Sequence, residues 1–145
     1  MADPLSVTSG LIAIVTATAQ ASVALYNTVK SFENHPRNVR QLIEELEALT
    51  AVLHSLQAVV DRDASTLASL TLPLERCQQA CVDFRKIMIK CSARSGGSRT
   101  SFRDWAMLRY MQGDIGGFTN MLAGYKSTIT IALGDANLFV NLSPR

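Results

Sequence analysis

Three cysteines and two histidines are the side chains best suited to chemistry in this 145-residue chain: Cys77, Cys81, Cys91, His35 and His54. A thiolate nucleophile needs a base at hand, and a zinc site needs Cys or His in short-spaced pairs. The histidines are 19 residues apart, and neither forms a close pair with a cysteine. With Phe84 and Met88 the cysteines step by 4, 3, 4 and 3 residues, which places them on one face of a helix. They read as small buried apolar residues. The odd count, without a framework of paired spacings, fits a reducing cytosolic setting better than a secreted one.

Carboxylates offer no acid–base pair either. Glu44, Glu45 and Glu47 are close in sequence but fall on different helical faces, and Glu75 and Asp83 stand apart. The glycine-rich Gly113–Gly117 lacks the downstream Lys-Ser/Thr of a phosphate-cradling loop. The expectation is therefore no catalytic residue, no cofactor site, no metal site and no enzyme.

The elements that would position these residues are all helical. Asp3-Pro4 is a start signal, with Asp able to cap free amides and Pro suited to the first helical position. From there a helix is predicted to about Phe32. Pro4 to Val29 is 26 residues without a charge. Apolar residues lie on two faces, Leu5, Ile12, Val15, Ala19, Val23 and Tyr26 on one and Val7, Leu11, Ile14 and Leu25 on another. Such a helix belongs inside a bundle or in a membrane. Its length exceeds the ~20 residues that span a bilayer, but its many Ser and Thr residues argue against a permanent span.

Asn34-His-Pro36 breaks that helix. A second is predicted from Arg37 to Val60, with the stripe Leu42, Leu46, Leu49, Leu53, Leu56 and Val60. A third runs from Thr66 or Pro73 to Ala93, and Ser92–Ser101 reads as a flexible basic loop. A short fourth helix, Phe102 to Gln112, carries Phe102, Trp105 and Leu108. A fifth begins near Asp114, presents Ile115, Phe118, Leu122, Tyr125 and Ile129, and is expected to end at Gly134-Asp-Ala. This gives an all-α fold, a four- to five-helix bundle with a central apolar N-terminal helix. Residues 1–134 would form the domain and 135–145 a tail. The short connections suggest antiparallel neighbours.

Charge is unevenly placed. Between Arg85 and Arg109 lie seven basic residues and one acid, Asp104, giving +6, while the rest of the chain carries −4. Such a stretch would be attracted to anionic lipid. Nucleic acid is not expected, because stacking aromatics are sparse and no binding motif is present.

Several segments resemble one fungal family. They are the opening Met1–Ala13, Leu42–Leu56, Leu74–Cys81, Phe102–Ala106 and Gly124–Leu133. Together they cover nearly the whole chain, and their specificity lies in order and extent rather than in one signature residue. The family is the N-terminal domain found ahead of STAND-type NACHT or ankyrin receptors, including the N-terminal domain of azaphilone-pigment-cluster protein L, and it is HeLo-like.

The resemblance implies a non-enzymatic signalling or effector module of fungal cell-death or innate-immunity receptors. Such a module acts by oligomerisation and by membrane engagement through its N-terminal helix. On this reading Leu5, Leu11, Ile12, Ile14 and Val15 are the membrane-insertion candidates. Lys86, Lys90, Arg94, Arg99 and Arg103 are the anionic-lipid candidates. Partners would be like domains in a homo-oligomer and anionic lipids, and the location the cytoplasm with recruitment to the plasma membrane. The alternative is a protein–protein interaction module without membrane activity. A third reading is a small ligand-binding or enzymatic helical bundle.

Overall fold

A computed structural model describes residues 4–31, 37–62, 64–93 and 112–142. Helix α1 spans Pro4–Lys30. Its last turn is closed by Ser31, whose amide reaches the carbonyls of Asn27 and Thr28 and whose hydroxyl donates to Thr28 O at 2.6 Å. The expected end at Phe32 falls outside the described residues.

Helix α2 covers Arg37–Val59. Every member of its predicted stripe is buried, from Leu42 to Val60, and Val39 and Ile43 join them. Aliphatic side chains at alternating steps of three and four keep one seam inward, and each fully buried leucine contributes on the order of 1.5–3 kcal/mol.

The next segment is built in pieces. A single turn, α3 (Ala64–Leu67), passes into a 3-10 turn (Ala68–Leu70), and α4 then runs Thr71–Ala93. The start of α4 lies between the two expected positions. Pro73 sits in its first turn, where a missing N–H breaks no intrahelical bond. Leu74, Cys77, Cys81, Phe84 and Met88 form its buried seam.

Helix α5 is Gln112–Leu142. It does not stop at Gly134, where the sequence predicts an end. A mid-helix glycine costs only about 1 kcal/mol relative to alanine, and Ala136, one half-turn on, is buried at 1 % exposure. Packing beyond the glycine therefore carries the helix through it. The predicted short helix with Phe102, Trp105 and Leu108 lies outside the described residues.

The long helices form an all-α bundle. α1 packs on α2 and α4, α2 packs on α1 and α5, and a smaller contact joins α4 to α5. That contact includes a stacked pair, Phe84 and Phe118, with centroids 4.1 Å apart and planes 7° from parallel. α3 touches both α1 and α5, filling in where the chain crosses between α2 and α4. Not all neighbours are antiparallel. Thr18 meets Leu74 and Thr28 meets Arg85, so α1 and α4 run in the same direction. Thr16, Ser22 and Tyr26 meet Gln57, Thr50 and Glu47, so α1 and α2 are antiparallel.

Candidate functional site: the two faces of the N-terminal helix

The buried face of α1 is Leu11, Val15, Thr18, Ser22, Leu25 and Val29, with Ala19 beside them. Their spacing of 4, 3, 4, 3 and 4 is the same seam geometry as in α2. This face differs from both faces drawn from apolar residues alone, because two of its members are hydroxylic. Thr18 and Ser22 are completely buried. The signal was present in the register of Leu11, Val15, Leu25 and Val29, which leaves Thr18 and Ser22 as the intervening inward positions.

Buried hydroxyls need partners, and these serve as cross-links to the neighbouring helices. Thr18 Oγ1 shares its hydrogen between Ile14 O, at 2.7 Å in its own helix, and Leu74 O of α4, at 3.2 Å. Ser22 Oγ and Thr50 Oγ1 of α2 are 2.7 Å apart. Gln57 Nε2 of α2 lies 3.5 Å from Thr16 Oγ1, a longer contact. Near the C-terminal end, Tyr26 donates to Glu47 Oε1 at 2.9 Å and accepts from Lys30 Nζ at 2.8 Å. That hydrogen bond, with the phenol's own charge interaction and Glu47 behind it, holds the Lys30 ammonium above its ordinary pKa range. Arg85 Nε donates to Thr28 Oγ1 at 3.0 Å, and Thr28 in turn donates to Ala24 O at 2.9 Å.

The opposite face of α1 is open. Ile12 and Val23 are each 37 % exposed, and Ala13, Gln20 and Asn27 are exposed with them. Between this face and α2 runs a groove made of two adjoining clefts of about 390 and 380 Å³. The clefts share Val23, Asn27 and His54. Tyr26 and Glu47 line one end of the groove, and Gln20, Asn27 and His54 present amide and imidazole groups along it.

The five insertion candidates are thus divided by the fold. Leu11 and Val15 are in the core, Ile14 is half-buried against it, and Ile12 faces solvent. Leu5 is in the first turn of α1, with its side chain outside the described residues. Thr8–Lys30, 23 residues with hydropathy 1.5, is long and apolar enough to cross a membrane, and 33 % of its 18-residue apolar window is buried. A core helix of a soluble protein has the same length and composition. Of the lipid candidates, Lys86 and Lys90 lie exposed on α4, while Arg94, Arg99 and Arg103 fall outside the described residues.

Cys77 and Cys81 are fully buried free thiols. Their mutual hydrogen bond, and then burial, push the Cys81 thiol far above its ordinary pKa. A thiol so held stays protonated and is a poor nucleophile. The side chain of Cys91 is outside the described residues. His54 is exposed in the α1–α2 groove, away from the α4 seam that holds the cysteines, and His35 is outside the described residues. Among the described residues no three His, Cys, Asp or Glu side chains gather as a metal site.

No curated protein and no solved structure matches this chain. A family profile does, over residues 2–143. On that match, which takes in all the helices described above, the chain belongs to the family described as pigment biosynthesis cluster protein PigL N-terminal.

Proposed function

We propose that this chain is a non-enzymatic signalling and effector module of the HeLo-like kind that precedes fungal STAND receptors. In this reading it works in the cytoplasm, self-associates, and engages the plasma membrane through α1 in cell-death or innate-immunity signalling. The observation that carries the reading is α1 itself. Pro4–Val29 carries no charge, Thr8–Lys30 is long and apolar enough to span a bilayer with 33 % of its apolar window buried, and the Thr18 and Thr28 hydroxyls bond back to carbonyls of α1 itself.

That last point matters in lipid, where an unpaired polar group costs several kcal/mol. If α1 left the bundle, Thr18 would keep its bond to Ile14 O and Thr28 its bond to Ala24 O. Ser22, once parted from Thr50, would need a new partner, and so would Gln20 and Asn27. The last two lie seven residues apart on the open face, suited to hydrogen bonding between copies of the helix. A span of this composition therefore favours an oligomer over a lone helix. Leaving the bundle also breaks the cross-links to α2 and α4, so release requires a trigger.

Dye release from liposomes by the folded full chain tests the reading. Release that depends on anionic lipid supports it, and neither binding nor release contradicts it.

The open groove between α1 and α2 favours a second reading, an interaction module that pairs with like domains and never touches lipid. Dimerisation that is insensitive to salt, without vesicle binding, would identify that behaviour.

A further inference from the structure

The cross-links that set α1 against its neighbours also determine which helix ends share one end of the bundle. Tyr26 is level with Glu47, and Thr28 with Arg85. From Glu47 back to Arg37 is about 15 Å of helix, against about 6 Å from Tyr26 to the end of α1, at ~1.5 Å per residue. The first turn of α2 therefore projects past the end of α1. The last turns of α4, beyond Arg85, emerge at the same end.

We propose that this end of the bundle is a docking surface for an anionic lipid bilayer, with Arg37, Arg40, Lys86 and Lys90 facing the headgroups and Ile87 and Ile89 entering the interface. The inference rests on the membrane-engaging reading above and adds the docking end, its residues and the orientation.

The charge is available. All four cations are exposed. Among the described residues none has an acidic partner, while the acids Glu45 and Glu47 of α2 are taken up by Lys126 and Tyr26. Exposed Glu44 and Asp83 are the other acids close to this end. Arg37 and Arg40 occupy the first turn of α2, which has no acid. There the helix macrodipole disfavours cations, so helix stability does not account for them.

The apolar residues select the partner. From Arg85 to Lys90 only Met88 is buried, and Ile87 and Ile89 are 43 % and 41 % exposed on either flank of the lysine ridge. A bilayer interface gains from apolar side chains and from cations together. A nucleic acid or a free phosphate would use the cations alone.

Docking here is end-on. Leu11 lies about 25 Å down α1 from Thr28, at ~1.5 Å per residue, so the apolar N-terminal half of α1 points away from the docked membrane. Insertion must follow as a separate step in which α1 swings out of the bundle.

Co-sedimentation with phosphatidylcholine vesicles, with and without phosphatidylserine, tests this on the full chain. Reversing Arg37→Glu with Arg40→Glu, and separately Lys86→Glu with Lys90→Glu, should each lower partitioning onto anionic vesicles about tenfold or more. Arg37→Ala with Arg40→Ala should give a smaller loss in the same direction. Ile87→Ser with Ile89→Ser should weaken vesicle binding while leaving binding to a DNA duplex, measured in parallel, unchanged. Folding of each variant is checked by circular dichroism. If the Arg37/Arg40 variants bind as well as the parent while the lysine pair matters, the proposed end is wrong and the membrane reading survives. If the folded parent binds no vesicle, both fall. If it binds the duplex but not vesicles, the surface is a nucleic-acid site and the proposal is overturned.

Discussion

The hydroxyl of Thr18 in α1 and the carbonyl of Leu74 in α4 are 3.2 Å apart in a fully buried seam, joining two parallel helices. Replacing Thr18 with valine keeps the shape and removes the donor. A shared, buried hydrogen bond of this kind contributes about 0.5–1.5 kcal/mol. Thr18→Val should lower unfolding free energy by about 1 kcal/mol in urea titrations and should lower the barrier to releasing α1. No change in stability would mean that the hydroxyl and its two shared bonds contribute nothing net to holding α1 in the bundle.

Phe84 and Phe118 stack in the small contact between α4 and α5. Both rings are nearly buried, at 6 % and 7 % exposure. Phe118→Ala removes the stack and leaves a cavity, so a loss of about 3–5 kcal/mol is expected. A double-mutant cycle with Phe84→Ala should return a coupling of about 0.5–1.5 kcal/mol, and a coupling near zero would deny the pair any role beyond filling space.

The thiol of Cys81 is held protonated by its bond to Cys77 and by burial. Its folded pKa lies above the ordinary value of 9.0, so the unfolded chain loses this proton first as pH rises. The corresponding stability is complete below pH 9 and declines above it, by up to about 1.4 kcal/mol per pH unit. The Cys81→Ala protein should lose less stability than the parent between pH 9 and pH 10. Thiol reagents at neutral pH should label neither Cys77 nor Cys81 in the folded chain.

Gly124 and Gly134 lie inside α5, and a Cβ at either would meet nothing within 4 Å. Alanine there should stabilise the protein by about 0.5–1 kcal/mol each, through the unfolded chain. Thermal melts of the two single variants measure this. A destabilised Gly134→Ala would show that the last turns of α5 need the glycine for a reason other than open space.

The aliphatic seams were legible in the sequence and the polar ones were not. Leu42 to Val60 could be read directly, because leucine at steps of three and four has one physical meaning. The same spacing holds in α1, yet Thr18 and Ser22 look like polar dilution there, since nothing in their residue type separates a buried cross-link from a solvated hydroxyl. Gly134-Asp-Ala has the composition of a helix stop, and the burial of Ala136 overrides it. The parallel pairing of α1 with α4 was hidden because short connections describe which helices follow one another, not which lie side by side. For the same reason Arg37 and Arg40 have no visible relation to Lys86 and Lys90 in the sequence, whereas the fold places the start of α2 and the end of α4 at the same end of the bundle.

Charging the open face of α1 tests the account most directly. Ile12 and Val23 are each 37 % exposed, so Ile12→Glu and Val23→Glu leave the resting bundle folded. A carboxylate in the middle of a span costs about 2.5–3.5 kcal/mol on insertion. Dye release from anionic liposomes should therefore fall by an order of magnitude or more in the double variant, while binding to the same liposomes persists. Release equal to that of the parent would show that α1 does not enter the membrane.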